Sequence, residues 1–263
     1  MDRKKFAMNY GAVLGLALSL LGIIFWSINI DEQTSKVPSI LNNVLIIMFL
    51  AFSISKYRDE EMNGIYSYKK CLKLGTTISF FSSAVMSIYT YIYITYLNPE
   101  IITNSLELTQ QTLLQSDPEI SDEMLEVQLQ YAAKFMQPHW MMIMTLLGGT
   151  IMGFFWSIVI LWFWGIWLLF EKANQPGWYS LVPIVNLVVL ARISGKRDWW
   201  IILYFVPLLN LIVHYIIMNE LRKCFRKDDR YTIALFFLYF IYLPRLGVNN
   251  DEYKSPNNTQ YDY

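Results

Sequence analysis

His214 is the one side chain of near-neutral pKa well inside an apolar run, and it stands four residues after Asn210. On a helix that spacing puts both on one face, a polar pair able to meet a proton, an ion or a substrate headgroup. Ionisable groups at membrane depth are functional candidates by default. The plainer reading is a neutral imidazole bonded to a carbonyl that a broken helix has freed, because no acidic residue in any apolar run could partner it. The break itself is written in the sequence: Pro207-Leu-Leu-Asn210 repeats Pro183-Ile-Val-Asn186 at an offset of 24 residues. Each proline removes a donor and frees the carbonyl four residues earlier, that of Leu203 or Tyr179, which hydrocarbon cannot solvate. An asparagine three residues further on can cap a restarted half-helix or bond across to a neighbour. Pro183, Asn186, Pro207, Asn210 and His214 are therefore the candidate polar intramembrane site.

Other chemistry finds little support. No His-x-x-x-His or His-Glu cluster points to a metal, and no Ser-His-Asp set or glycine-rich phosphate loop is present, so neither a cofactor nor a catalytic residue is expected. Cys71 and Cys224 stand far apart beside basic stretches, as ordinary reduced thiols do. The net charge is zero, which offers nucleic acid no field. Trp178, Trp199 and Trp200 with Lys196 and Arg197 fit an interface facing anionic lipid headgroups, although the same residues are ordinary topology signals. Gly11-x-x-x-Gly15 and Gly149-x-x-x-Gly153 set small residues on one helix face, where close packing within a bundle is a simpler use than dimerisation.

The elements carrying these residues are long and apolar. Hydrophobic residues make up 55% of the 263-residue chain and charged ones 16%, in blocks rather than at amphipathic spacing. Crossing about 30 Å of hydrocarbon takes about 20 residues, which gives an all-α integral membrane protein with four transmembrane helices near 8–28, 38–55, 74–97 and 139–170. The first follows Arg3, Lys4 and Lys5 and is too long for a signal-peptide core, so it reads as an uncleaved span. The last, about 48 Å if wholly helical, must tilt, project or bend, with Gly148, Gly149 and Gly153 as the places for a bend or a close contact. Residues 98–138 carry seven acids and one lysine. Two helices are expected there, with Ser116-Asp-Pro-Glu119 read as a capping box for an amphipathic helix over 118–136; its face could meet the membrane, a protein partner or a second copy, although packing against the protein's own outer loops is the plainer reading, since amphipathicity alone names no ligand. Lysine and arginine concentrate at the amino terminus and in the second loop (Lys56, Arg58, Lys69, Lys70, Lys73), which places the amino terminus in the cytoplasm and the acidic loop outside.

From Glu171 the pattern changes. Residues 178–191 are too few for a crossing and are basic at both ends, so a re-entrant or interfacial hairpin is expected. Residues 199–219 are long enough to cross, but Arg222, Lys223, Arg226 and Lys227 beyond them favour a dip and return. The block 231–246 is barely long enough to span, and the polar tail 249–263 reads as disordered. The domains expected are 1–170, a four-span membrane domain, and 171–248, the Pro-x-x-Asn module.

Two resemblances overlap these parts. Tyr10-Gly11 to Gly15-Leu16, the basic loop Tyr57-Arg58 to Tyr68-Lys69-Lys70 and the Gly148 to Gly153 span resemble an uncharacterised four-span bacterial membrane family over about residues 5–160. Lys172-Ala173, Pro176-Gly177-Trp178, Val182-Pro183 to Asn186, Gly195-Lys196, Trp199-Trp200, Pro207 to Asn210 and Asp251-Glu252-Tyr253 resemble a small membrane module of unknown function over about 171–253. That module is sometimes fused ahead of type I signal peptidases. The Ser-Met-x-Pro nucleophile motif and its lysine have no counterpart here, so peptidase activity is not carried over. Arg222-Lys-Cys-Phe-Arg-Lys227 stands where the module has a small, glycine-containing link. These resemblances imply a bacterial inner-membrane protein. A structural, interaction or membrane-assembly role comes first, a small channel or transporter second and a lipid-acting enzyme third.

Overall fold

The structure, a computed structural model, describes residues 2–28, 30, 35–61, 67–249 and 251–256. Among these there is no strand. The helices are α1 (Arg3–Ser27), α2 (Val37–Glu61), α3 (Tyr68–Ile92, extended by a π-helical turn Tyr93–Leu97), α4 (Glu100–Ser116), α5 (Asp122–Phe135), α6 (Pro138–Lys172), α7 (Pro183–Ile193), α8 (Leu209–Cys224), α9 (Asp229–Phe237) and α10 (Tyr239–Val248). Short 3-10 segments, Gly177–Leu181 and Asp198–Phe205, precede α7 and α8. Asp31 and Glu32 of the first turn, and the tail beyond 256, lie outside the described residues.

Helices α1, α2, α6 and α3 with its π-helical extension are long and apolar enough to cross a membrane, and only 22–44% of each span is buried inside the protein. The remaining surface is apolar: Leu16, Met48 and Ile151 are 62%, 66% and 68% exposed. Side chains of that kind on every helix need a hydrocarbon solvent.

The chain forms two compact units, Met1–Glu61 with Leu72–Ser157, and Met62–Cys71 with Ile158–Tyr263. In the first, α3 is central. On one side a Cβ at Gly11 or Gly15 of α1 would meet Ser82 and the side chain of Phe81 or Val85; on the other, a Cβ at Gly149 or Gly153 of α6 would run into Ser83 or Ser79. Small residues therefore bring three backbones together, the packing available where lipid removes the hydrophobic drive. The hydroxyls of Ser79 and Ser157 donate to the carbonyls of Gly75 and Gly153, four residues back, so they need no solvent. α6 runs unbroken through its glycines, because they seat α3 rather than open a bend. Gly148 has open space where its Cβ would be.

The acidic connection between α3 and α6 folds as two helices, but the second starts later than Ser116 implies. Ser116 closes α4, its hydroxyl donating to Leu113 O at 3.0 Å. The cap is Ser121, whose Oγ accepts from Met124 N–H at 3.3 Å. Asp122 and Glu123 on the positive end make this the stronger start.

The core of the second unit joins the end of α6 (Ile166, Leu169, Phe170) to α7, α8, α9 and α10. Residues 231–246 are not one span. Two short helices of nine and ten residues meet at Leu238, and Pro244 packs on Gly165, whose Cβ would overlap it. The tail also departs from the disordered reading as far as 256. Tyr253 donates its hydroxyl to Ile193 O at 2.7 Å, and Lys254 N–H donates to Cys224 O at 2.8 Å. Asp251 pairs with Lys227 at 2.7 Å. A polar sequence stays ordered here because it supplies partners to carbonyls at the ends of α7 and α8.

Candidate functional site

Both Pro-x-x-Asn segments are preceded by the same closure. A 3-10 segment ends two residues before the proline, and the carbonyl the proline frees is taken three residues on: Val182 N–H donates to Tyr179 O, and Val206 N–H to Leu203 O, each at 3.3 Å. The helix then restarts, with Asn186 N–H bonded to Val182 O at 2.8 Å and Asn210 N–H to Val206 O at 3.1 Å. Pro183 sits in the first turn of α7, where its missing N–H has no intrahelical role. A tighter 3-10 closure thus satisfies what hydrocarbon would leave bare.

The asparagines do different work. Asn186 is 4% exposed, and its Nδ2 donates to Ser180 O at 3.0 Å, bracing the break from behind. Its Oδ1 and the Ser180 Oγ are buried without a partner. Asn210 is only partly buried. Beside it Leu208 has φ +67° and ψ −40°, a conformation that side-chain-bearing residues rarely adopt.

His214 faces the aromatic side of the second break. Its Nδ1 lies 3.3 Å from the Tyr204 hydroxyl, and the rings of Phe236 and Tyr239 lie 5.5 and 5.2 Å away. No hydrogen bond joins it to Asn210, and no carboxylate or cation approaches it among the described residues. The imidazole–phenol pair is a polar contact enclosed by rings. Tyr204 was not among the residues singled out from sequence, since a tyrosine in an aromatic apolar run carries no signal until the break folds it back. Nor does any cluster of three or more His, Cys, Asp or Glu able to hold a metal occur among the described residues.

Apolar side chains crowd the two breaks: Ile184, Phe205 and Leu208 are 61%, 70% and 78% exposed, and Trp178 and Trp199 about half. Charges collect at the far ends of α7 and α8. Arg192 pairs with Asp198 at 2.6 Å, Arg222 with Asp229, and Lys196 lies over the Trp200 ring at 5.1 Å. Arg197 sits at the start of the second 3-10 segment.

Three helix ends in this unit share one cap. The residue at φ +54°, +78° or +53° is Asn174, Gly195 or Arg226. In each case the next N–H reaches back five residues: Gln175 to Phe170 O, Lys196 to Ala191 O, and Lys227 to Arg222 O. This is the Schellman geometry, and it resolves the Arg222–Lys227 link: Arg226 stands in the left-handed position that glycine favours.

Fold and site together define a four-span α-helical membrane protein with an appended, proline-broken helical module. The family model described as "Protein of unknown function (DUF4199)" matches residues 9–165. The chain belongs to that family. A second and distinct model, "Family of unknown function (DUF5684)", matches residues 178–256, from the first 3-10 segment to the last of the described residues, in keeping with a two-part fusion. Neither a curated protein nor a solved structure matches the chain.

Proposed function

We propose that this chain is a non-enzymatic structural or interaction protein of the bacterial inner membrane, its amino terminus cytoplasmic and its α4–α5 hairpin outside. One observation carries the reading. Neither α4 nor α5 has a buried residue, although Met124, Tyr131 and Phe135 of α5 are 56%, 62% and 52% exposed. An acidic hairpin with an uncovered apolar face, held on helices that occupy one another through glycines, is what a docking partner or a second copy of the chain needs. Anionic lipids are the partners that Trp178, Lys196, Arg197, Trp199 and Trp200 would meet.

The test is purification of the full chain in mild detergent, followed by cross-linking. A reproducible partner or oligomer is expected, lost on Met124→Ser with Tyr131→Ser. Recovery of the wild type as a lone monomer sinks the reading. A channel or transporter is the second reading, favoured by the buried unpartnered Asn186 Oδ1 and Ser180 Oγ beside a broken helix. Solute flux in liposomes that falls on Asn186→Leu supports it, and flux no greater than that of protein-free liposomes rejects it.

A further inference from the structure

Within the first unit, α1, α2, α3 and α6 line a half-open cavity of about 250 Å³. Its wall holds three polar groups that the protein leaves unsatisfied. Ser82 and Ser83 are 4% and 6% exposed, and their hydroxyls make no hydrogen bond among the described residues. Asn42 also lines the cavity, and its Oδ1 is buried without a partner. Ser19 and Asn43 in the same bundle are satisfied by contrast: Ser19 donates to Gly15 O, and Asn43 accepts from Trp156 Nε1. Two more polar residues in the wall are already engaged, Ser79 donating to Gly75 O and Thr145 to Thr90 Oγ1; the rest is apolar and pliable, with Leu14, Leu18, Ile46, Met86 and Met152, and no charged side chain lines it.

Depth limits what can reach this cavity. Leu14 and Leu18 lie about 16–22 Å along α1 from Arg3, and Gly149 and Gly153 the same distance along α6 from Pro138, at 1.5 Å per residue. That is mid-depth in a layer about 30 Å thick, away from both aqueous ends. At the wall Met152 is 49% exposed and Gly149 is exposed, so the mouth is on the lipid-facing side of α6. A single ordered water has a share of about 30 Å³, so one water does not fill this volume.

We propose that the cavity binds a neutral, hydroxyl-bearing lipid taken laterally from the bilayer. Its hydroxyl, both donor and acceptor, engages the Asn42 amide and the Ser82 and Ser83 hydroxyls, while its chain lies along Leu18, Ile46, Met86 and Met152. With no cation in the wall, a carboxylate or phosphate headgroup is disfavoured. The inference is independent of the interaction role proposed above.

The test uses the full chain in phosphatidylcholine vesicles and three probes with the same diazirine-bearing acyl chain: a monoacylglycerol, its dimethyl ether and the free fatty acid. Photolysis and peptide mapping are expected to place the monoacylglycerol on α3 and α6, at least fivefold over the other two. Asn42→Leu should remove that preference. Met152→Trp, at an exposed position that does not threaten folding, should lower labelling by all probes at least fivefold and decides the matter if Asn42→Leu does not fold. Equal labelling by alcohol and ether, labelling unchanged in Met152→Trp, or no labelling of α3 and α6 overturns the proposal.

Discussion

Arg226 occupies a left-handed position, φ +53°, at the end of α8. An L side chain there is less favourable than glycine by about 1–2 kcal/mol. Arg226→Gly is therefore expected to raise the stability of the second unit by about 1 kcal/mol. Gly195→Ala, at φ +78° and with Pro256 Cγ 2.6 Å from where the Cβ would sit, should lower it by at least as much. Thermal unfolding in detergent, monitored at the tryptophans around α7 and α8, reads both changes. A loss in Arg226→Gly would mean that the guanidinium makes a contact worth more than the strain. These positions also mark what a sequence can tell at this scale. Pro183 and Pro207 announce breaks because proline's chemistry is local. The division of labour between Asn186, bonded back to Ser180, and Asn210 beside a strained Leu208 is not legible, since the two motifs are identical in type and differ only in what the fold brings up behind them.

Among the elements, the four apolar helices and the α4–α5 pair can be read from the chain, because length and hydrocarbon thickness leave few alternatives. The split of 231–246 at Leu238 cannot, as no glycine or proline stands there. Pro244, which looks like a breaker, instead fits against Gly165 across the core. Glycines are ambiguous in the same way. Gly148 and Gly153 look alike in sequence, yet Gly153→Val would drive a side chain into Ser79 while Gly148→Val projects into open space. Gly153→Val should destabilise the first unit by about 1–3 kcal/mol, and Gly148→Val should change it little. Comparable melting temperatures for the two variants would refute the glycine–serine account of the α3–α6 contact. The ordered tail carries a pH dependence of its own. Burial alone would raise the Asp251 carboxyl, but hydrogen bonds from Lys227 and Asn249 and the charges of Lys227 and Lys172 outweigh it and hold it below its usual range. A depressed folded pKa contributes stability that is present above the unfolded value and lost as pH falls through the folded one. Tail attachment should hold at neutral pH and weaken below about pH 4, and Asp251→Asn should flatten that dependence, read as proteolytic release of the segment after 249.

At the scale of the whole molecule, the number of crossings after Lys172 fixes, by its parity, which side the last basic stretch occupies. Beyond α6 the longest described helix, α8, has 16 residues. Its final turns carry Glu220, Arg222 and Lys223, so the stretch free of Asp, Glu, Lys and Arg from Leu209 to Met218 is about 15 Å at 1.5 Å per residue. α7 has 11 residues, about 17 Å. Either is half of what hydrocarbon demands, while the apolar exposure at the breaks and the charges at the far ends suit a segment that enters one leaflet and returns. The expected topology is therefore cytoplasmic on both sides of each break. Single cysteines at Lys196 and Lys223 should react with a membrane-impermeant maleimide only in inside-out vesicles, and one at Asn250, on the far side of α9 and α10, should follow them. Native background is low, because Cys71 and Cys224 are 0% and 2% exposed, and burial with the nearby charge of Glu220 pushes the Cys224 thiol up to about 11. Labelling of Lys223→Cys from the outside, with Lys196→Cys still labelled from within, would mean that residues 198–222 cross, and the leaflet-dipping account would fall.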